Sequence, residues 1–255
     1  MKKKLFKKSV VSHPLITVVT VVYNGEDFIE ETIRSVINQT YDNVEYIIVD
    51  GGSTDSTLDI IRKYDHAIDY WISEEDDGIY DAWNKAIKLS NGDWIAFLGA
   101  DDTLYKKALS NYVDLIKGSD LNYVSARVNL IGVNGYIRTI GSKFDADKIS
   151  KSMNVAHVGS LHSRKLFEQC GCFSLKYKIV SDYDFFIRNV DIIKPGFLDV
   201  TVADMRVEGA SDGGFKVFYE VAKVKIDNKI QGRVSAYASM VMSFCKWRIR
   251  RLIWY

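Results

Sequence analysis

Two kinds of hydrophobic pattern alternate along the first part of the chain. Leu15 to Val22 and Val44 to Val49 are continuous apolar runs rich in β-branched residues, the pattern of strands covered on both faces. Ile68 to Ile72 reads as a third strand. Trp94 to Leu98, set between the turn signal Asn91-Gly92 and Gly99, reads as a fourth. Between these runs apolar residues recur at helical spacing: Ile29, Thr32, Ile33, Val36 and Ile37, then Leu58 and Ile61, then Ile79, Ala82, Trp83, Ala86 and Ile87. Ser53 or Thr54 suits the cap of the second of these helices.

Strands alternating with helices imply a mostly parallel sheet joined by right-handed crossovers. Lys106 to Lys117 continues as a helix with Leu109, Tyr112, Val113 and Ile116 inward. Asn122 to Ile140 alternates around Asn134-Gly135, a hairpin signal that makes the sheet mixed. Ser181 to Arg188 starts like a helix with Ser181 and Asp184 as a capping box. Arg233 to Tyr255 places Val234, Tyr237, Ala238, Val241, Cys245, Ile249 and Leu252 on one helical face. The expected class is α/β: a Rossmann-like mixed sheet with mostly parallel strands flanked by helices, plus C-terminal helices. Residues 1–14 form a basic tail, 15–215 the main domain, with halves at 15–103 and 104–215, and 216–255 a helical extension.

Composition narrows this picture. With 255 residues, 47% hydrophobic and two prolines, the chain is long and apolar enough to bury a sizeable core. A net charge of +1 argues against a nucleic-acid partner. Three cysteines cannot all pair, and a reducing cytoplasm is the simplest setting for them. No apolar run approaches the roughly 18 residues of a membrane span.

The candidate chemistry sits where the strands end. Tyr23-Asn24-Gly25, Asp50-Gly51-Gly52-Ser53-Thr54-Asp55, Ser73 to Gly78, and Gly99-Ala100-Asp101-Asp102 are all polar or flexible, and ligands of open α/β sheets bind at that edge. Adjacent carboxylates repel unless a cation relieves them, so Asp101 and Asp102 suit Mg2+ or Mn2+, while a surface turn is the plain alternative. Neither G-x-G-x-x-G nor G-x-x-x-x-G-K-[ST] follows the first strand, which argues against a Rossmann oxidoreductase or a phosphate-loop enzyme. A nucleotide met by carboxylates would offer a base or ribose hydrogen bond to Asp50 and phosphates to a metal at Asp101-Asp102.

Five pieces in order resemble the family-two inverting nucleotide-sugar glycosyltransferases with the GT-A fold: Thr20-Val21-Val22-Tyr23-Asn24, Ser35 to Tyr41, Val49 to Asp55, Asp77-Gly78-Ile79-Tyr80-Asp81-Ala82-Trp83-Asn84-Lys85, and Ala100-Asp101-Asp102. The fourth piece looks most like the subgroup that builds bacterial exopolysaccharide, capsule or O-antigen units. The resemblance implies a nucleotide-binding set of Thr20, Tyr23, Asn24, Asp50, Ser53, Asp77, Asn84, Lys85 and Asp101. Gly51 and Gly99 stand where the family commonly has Asp, so Asp50 is implied to read the nucleobase, with ribose and metal left to Asp101 and Asp102. Asp182 matches the family's catalytic base, with Ser181 in place of a Glu. Asp81, His157 and Arg164 match positions near the donor or acceptor. The Gly-rich segment from Glu208 to Gly214 is either a lid over the donor or a plain linker.

The implied activity is metal-dependent sugar transfer, from a UDP-sugar to a glycan or lipid-linked glycan. Two other classes compete from the residues: an aspartate-based phosphotransferase, and a non-catalytic nucleotide-binding scaffold. At the C-terminus, Trp247, Trp254 and Tyr255 among Lys246, Arg248, Arg250 and Arg251 fit a helix lying on the inner leaflet, or a terminal helix docked on the core.

Overall fold

The computed structural model describes residues 13–207 and 214–254, with side chains through residue 249. The basic residues from Lys2 to Lys8, and residues 208–213 of the segment read as a lid or a linker, lie outside the described residues.

The elements follow in chain order: β1 (Ile16–Val22), α1 (Ile29–Ile37), β2 (Val44–Asp50), α2 (Thr57–Lys63), β3 (Tyr70–Ser73), α3 (Ile79–Leu89), β4 (Trp94–Gly99), β5 (Thr103–Leu104) and α4 (Ala108–Ile116). The second half adds β6 (Tyr123–Gly132), β7 (Gly135–Ile140), α5 (Ala146–Ile149), β8 (Ser160–Ser163), α6 (Arg164–Cys170), α7 (Ser181–Arg188), β9 (Pro195–Arg206), α8 (Phe215–Asp227) and α9 (Arg233–Trp254). One sheet runs β3-β2-β1-β4-β8-β6-β9-β5, with β7 beside β6. β1 to β4 are parallel, β8 runs antiparallel to β4 and β6, and β6 and β7 form the expected hairpin.

Alternate residues of each central strand serve opposite faces, the period-two rule of a pleated strand. Ile16 and Val18 of β1, Tyr46 and Ile48 of β2, and Ala96 and Leu98 of β4 join α1, α2 and α4 in one core. Val19 and Val21, Ile47 and Val49, and Ile95 and Phe97 join α3, α6, α7 and Val224 of α8 in the other. The continuous apolar runs are thus explained, since both faces are covered.

Several local expectations are revised. β3 starts at Tyr70, because Ile68 is spent closing the preceding helix, its N–H bonding Tyr64 O. Ser53 and Thr54 do not cap α2; Ser53 Oγ accepts Asn24 N, and Asp55 Oδ1 accepts Thr57 N instead. Ser181 makes no capping box, since its hydroxyl donates to Ser174 O. The start of α7 is held from α8, where the Glu220 carboxylate accepts the N–H groups of Lys178, Ile179 and Val180.

α9 docks on α8 mainly through aromatic residues outside the apolar face read from the sequence, with Tyr237 of that face also in contact. Phe244 packs against Phe215 and Phe218, Trp247 against Phe218, and Tyr237 stacks on Tyr219. Val234, Val241 and Ile249, also read on that one helical face, are 86%, 52% and 55% exposed. No described helix is long and apolar enough to cross a membrane.

Candidate active site

The parallel strands end in register. Val22 of β1 lies opposite Asp50 of β2, Asp50 opposite Ser73 of β3, and Val21 opposite Gly99 of β4. β1 sits between β2 and β4, so the chain reverses its direction of winding there and leaves a crevice beyond the carboxyl ends.

The floor of that crevice is two turns that brace each other. Asn24 adopts φ 49°, a conformation Asn tolerates better than most residues. Its N–H donates to Ser53 Oγ at 2.8 Å, and its Oδ1 accepts Thr54 N at 2.9 Å. Asp50 is fully buried: Oδ2 accepts Gly52 N, Ser53 N and Ser73 Oγ, at 3.1, 3.0 and 2.6 Å. Its other oxygen, Oδ1, is buried without a hydrogen-bond partner. Such an oxygen is costly unless something supplies a donor. Tyr23 stands 67% exposed at the rim. Thr20 is fully buried and accepts Tyr46 Oη at 3.2 Å, so it braces the sheet rather than facing the crevice.

The acidic turn after β4 divides its two carboxylates. Asp102 is 4% exposed, and its oxygens accept the backbone N–H groups of Gly99 and of Arg206 on β9, at 3.2 and 3.0 Å. Burial, with the Asp101 charge added, pushes Asp102 up to about 7. Asp101 is less buried, and burial raises it too. Thr32 Oγ1 on α1 lies 2.7 Å from both Ala100 O and Asp102 O and fixes the turn from below. A Cβ at Gly99 would lie 2.6 Å from Asp102 Oδ2 and 3.0 Å from Asp101 Oδ1, so a side chain there would have to displace these carboxylates from their present positions.

α3 brings its motif against α7. Tyr80 Oη lies 2.9 Å from Asp182 Oδ1 and 2.8 Å from Ile179 O. His157 lies in the same wall, stacked on Trp83 at 4.6 Å, its Nε2 buried and unpartnered. Burial lowers His157 while the Asp182 charge raises it. Asp81 and Glu74 both pair with Lys85 Nζ, at 3.2 and 2.9 Å, and Lys85 also reaches Glu75 O, so this lysine pins the loop before α3. Lys178 bonds the carbonyl of Asp77, whose side chain is exposed. Asn84 is spent on structure, its amide bonding both N and O of Phe173. Arg164 does not join the group: it bonds Gly92 O and Ser90 Oγ at the amino end of β4, opposite to the crevice. Tyr80 and Glu220 were missed as site residues. Tyr80 lay inside the quoted motif, whereas nothing local marks Glu220.

Residues 17–184 match the family model described as glycosyl transferase family 2. The chain belongs to that family. This glycosyltransferase is 30% identical over 182 residues to a PGL/p-HBAD biosynthesis glycosyltransferase of Mycobacterium bovis BCG, with 69% of each chain covered. It is 40% identical over 106 residues to the putative teichuronic acid biosynthesis glycosyltransferase TuaG of Bacillus subtilis, covering 40% of this chain and 42% of TuaG. Its GT-A fold is shared with S. aureus TarS in complex with UDP-GlcNAc, at TM-score 0.69 and 18% identity, over 89% of this chain and 70% of that one. The mannosyltransferase PcManGT of Pyrobaculum calidifontis, in complex with GDP-Man and Mn2+, gives TM-score 0.68 at 17% identity, over 91% and 71%. Family membership sets aside the phosphotransferase and scaffold readings.

Among the described residues of this glycosyltransferase, no three Asp, Glu, His or Cys side chains gather as a metal cluster. The acidic turn nevertheless suits a cation that takes most of its ligands from phosphate, as Mg2+ and Mn2+ do at nucleotide sites. Two adjacent carboxyl groups, both raised by burial, gain from a positive neighbour.

Proposed function

We propose that the protein is a metal-dependent inverting glycosyltransferase that moves a sugar from a UDP-sugar to a hydroxyl of a glycan or lipid-linked glycan during synthesis of a surface polysaccharide. The observation that carries this is the contact between Tyr80 and Asp182, which holds a carboxylate from the second half against the donor-side motif.

In this reading Asp50 accepts a donor N–H from the nucleobase, which answers its unpartnered Oδ1. Asp101 is the first carboxylate toward Mg2+ or Mn2+, because both Asp102 oxygens already accept backbone N–H groups. A bound ion would supply charge to stabilise the leaving diphosphate. Asp182 takes the proton of the acceptor hydroxyl as its oxygen bonds the anomeric carbon. The bond from that carbon to the diphosphate breaks with its electron pair leaving on phosphate, and the anomeric configuration inverts. Asp81 and His157 line the wall beside this chemistry.

The relatives named for PGL/p-HBAD and teichuronic acid biosynthesis support a cell-envelope acceptor. The exposed apolar residues of α9, next to exposed Arg233, Lys246 and Arg248, support attachment to an anionic membrane face from the cytoplasmic side. The test is transfer from a panel of UDP-sugars with Mn2+, followed by UDP release and product mass. Asp182→Asn that folds, binds UDP and still transfers at the wild-type rate would reject the reading.

A further inference from the structure

α7 is gripped from more sides than its contact with Tyr80. Successive residues of an α-helix turn by about 100°, so Asp182, Tyr183 and Asp184 point in three different directions. Asp182 meets Tyr80 of α3. Tyr183 Oη donates to Ser150 O, just beyond α5, at 3.3 Å. Asp184 is buried, and its Oδ1 accepts Asn228 Nδ2, at the end of α8, at 2.9 Å. The same nitrogen donates to Val224 O at 3.0 Å, and two acceptors on one atom fix which way the Asn228 amide points. α8 also reaches the carbonyl next to that of Ser150, with Lys225 Nζ donating to Lys151 O at 2.6 Å. α7, the turn after α5, and α8 thus form a closed ring of contacts that fixes the residues flanking Asp182.

Lys225 is the unexpected member of this ring. It is 6% exposed, and among the described residues it forms no ion pair and spends its ammonium on one carbonyl. Burial lowers its amine from the usual lysine range. A buried ammonium without a counter-ion is unfavourable for folding, and an apolar side chain of similar length would serve stability as well or better. Stability therefore does not explain Lys225, whereas the connection it makes does. Lys225 and Asn228 both lie beyond residues 17–184, the stretch that matches the family.

We propose that Lys225 and Asn228 are positioning residues for sugar transfer: α8 sets the angle of α7 and so aims the Asp182 carboxylate at the acceptor hydroxyl. This rests on the reading of Asp182 as the base.

The test is steady-state transfer by the full chain, with UDP titration and thermal melts beside it. Lys225→Met keeps the stem and removes the amine, and Lys151 is exposed, so water can take its carbonyl. This variant is expected to melt no lower than the wild type, to bind UDP with unchanged affinity, and to lower kcat about five- to tenfold, the scale of a base moved from its geometry. Asn228→Ala should lower kcat to a similar degree, and the two together little further than either alone, since one break opens the ring. With Asp182→Asn already in place, neither substitution should lower kcat again, because a residue that acts through Asp182 has nothing left to aim. Wild-type kcat in both single variants overturns the inference, and so does the same fold-loss with and without Asp182. Wild-type transfer by Asp182→Asn alone overturns the base assignment and the inference with it.

Discussion

Tyr80 and Asp182, 102 positions apart in sequence, meet side chain to side chain at 2.9 Å. The tyrosine hydroxyl is the only polar atom α3 sends to the Asp182 carboxylate among the described contacts, and it also reaches the carbonyl of Ile179 just upstream. Tyr80→Phe should therefore leave UDP affinity near wild type and lower kcat about tenfold, the scale of one misplaced general base. Asp182→Asn should lower kcat by about a thousandfold or more with nucleotide binding kept. Steady-state kinetics beside UDP titration checks both, and equal losses in kcat and UDP affinity would argue that Tyr80 only supports the fold.

The acidic turn predicts a split between neighbours. Asp101→Asn should abolish the Mn2+ dependence of UDP binding with little change in melting temperature. Asp102→Ala leaves Gly99 N and Arg206 N without their acceptor, and should cost about 1–3 kcal/mol for buried groups left unpaired. Thermal melts with and without Mn2+ and UDP read the two effects separately.

Buried histidines make stability depend on pH. Burial holds His157 below its ordinary 6.5 and His162 well below it. As pH falls through 6.5 the unfolded chain binds protons that the folded state refuses, so each histidine removes up to about 1.4 kcal/mol of stability per pH unit. Asp102 acts in the opposite sense: raised to about 7 from 3.8, it favours the folded state at low pH and loses that contribution as pH rises through 7. Replacing His162 isolates the histidine part. In urea unfolding at about pH 7.5 and about pH 5.5, His162→Phe should lose less stability on acidification than the wild type. An equal loss would assign the pH dependence elsewhere.

Glu220 joins α8 to the approach of the Asp182 helix through three backbone N–H groups, those of Lys178, Ile179 and Val180. Glu220→Ala should lower kcat several-fold and expose the 178–182 amides to faster hydrogen exchange, while exchange at β1 to β4 stays unchanged.

The C-terminal helix gives a fifth expectation. The full chain should sediment with anionic vesicles and less so with neutral ones, and a chain ending at Ser243 should lose that binding, since it lacks Lys246, Arg248 and Ile249. Undiminished sedimentation of the shortened chain would place the membrane contact elsewhere.

Much of the donor side was legible because its strands are buried on both faces and end where polarity returns: Leu15 to Val22, Val44 to Val49 and Trp94 to Leu98 stop within a residue or two of the observed ends. What the sequence hides is direction and long-range partnership. Thr20 and Arg164 sit in suggestive segments, yet Thr20 points to Tyr46, and Arg164 lies at the far end of β4. Ser53 and Ser181 look like caps, but a backbone N–H of Asn24 and a backbone carbonyl of Ser174 claim their hydroxyls first. β9 escaped notice because Pro195, Gly196, Asp199 and Asp204 break any clean alternation; its pairing with β6 is what makes it a strand.

β9 also bears on how the molecule comes together. It lies between β6 and β5, so the short strand that directly follows Asp102 has no neighbour until the chain has run on to Ala203 and Asp204. The bond from Arg206 N to Asp102 spans 104 residues and closes at the same moment. Such distant pairing is slow to form. On a ribosome, the first hundred residues could assemble their parallel strands and still present an acidic turn that nothing holds. Competence toward the nucleotide would thus arrive late, with β9, and a fragment ending near Thr103 would be a sheet without a working site.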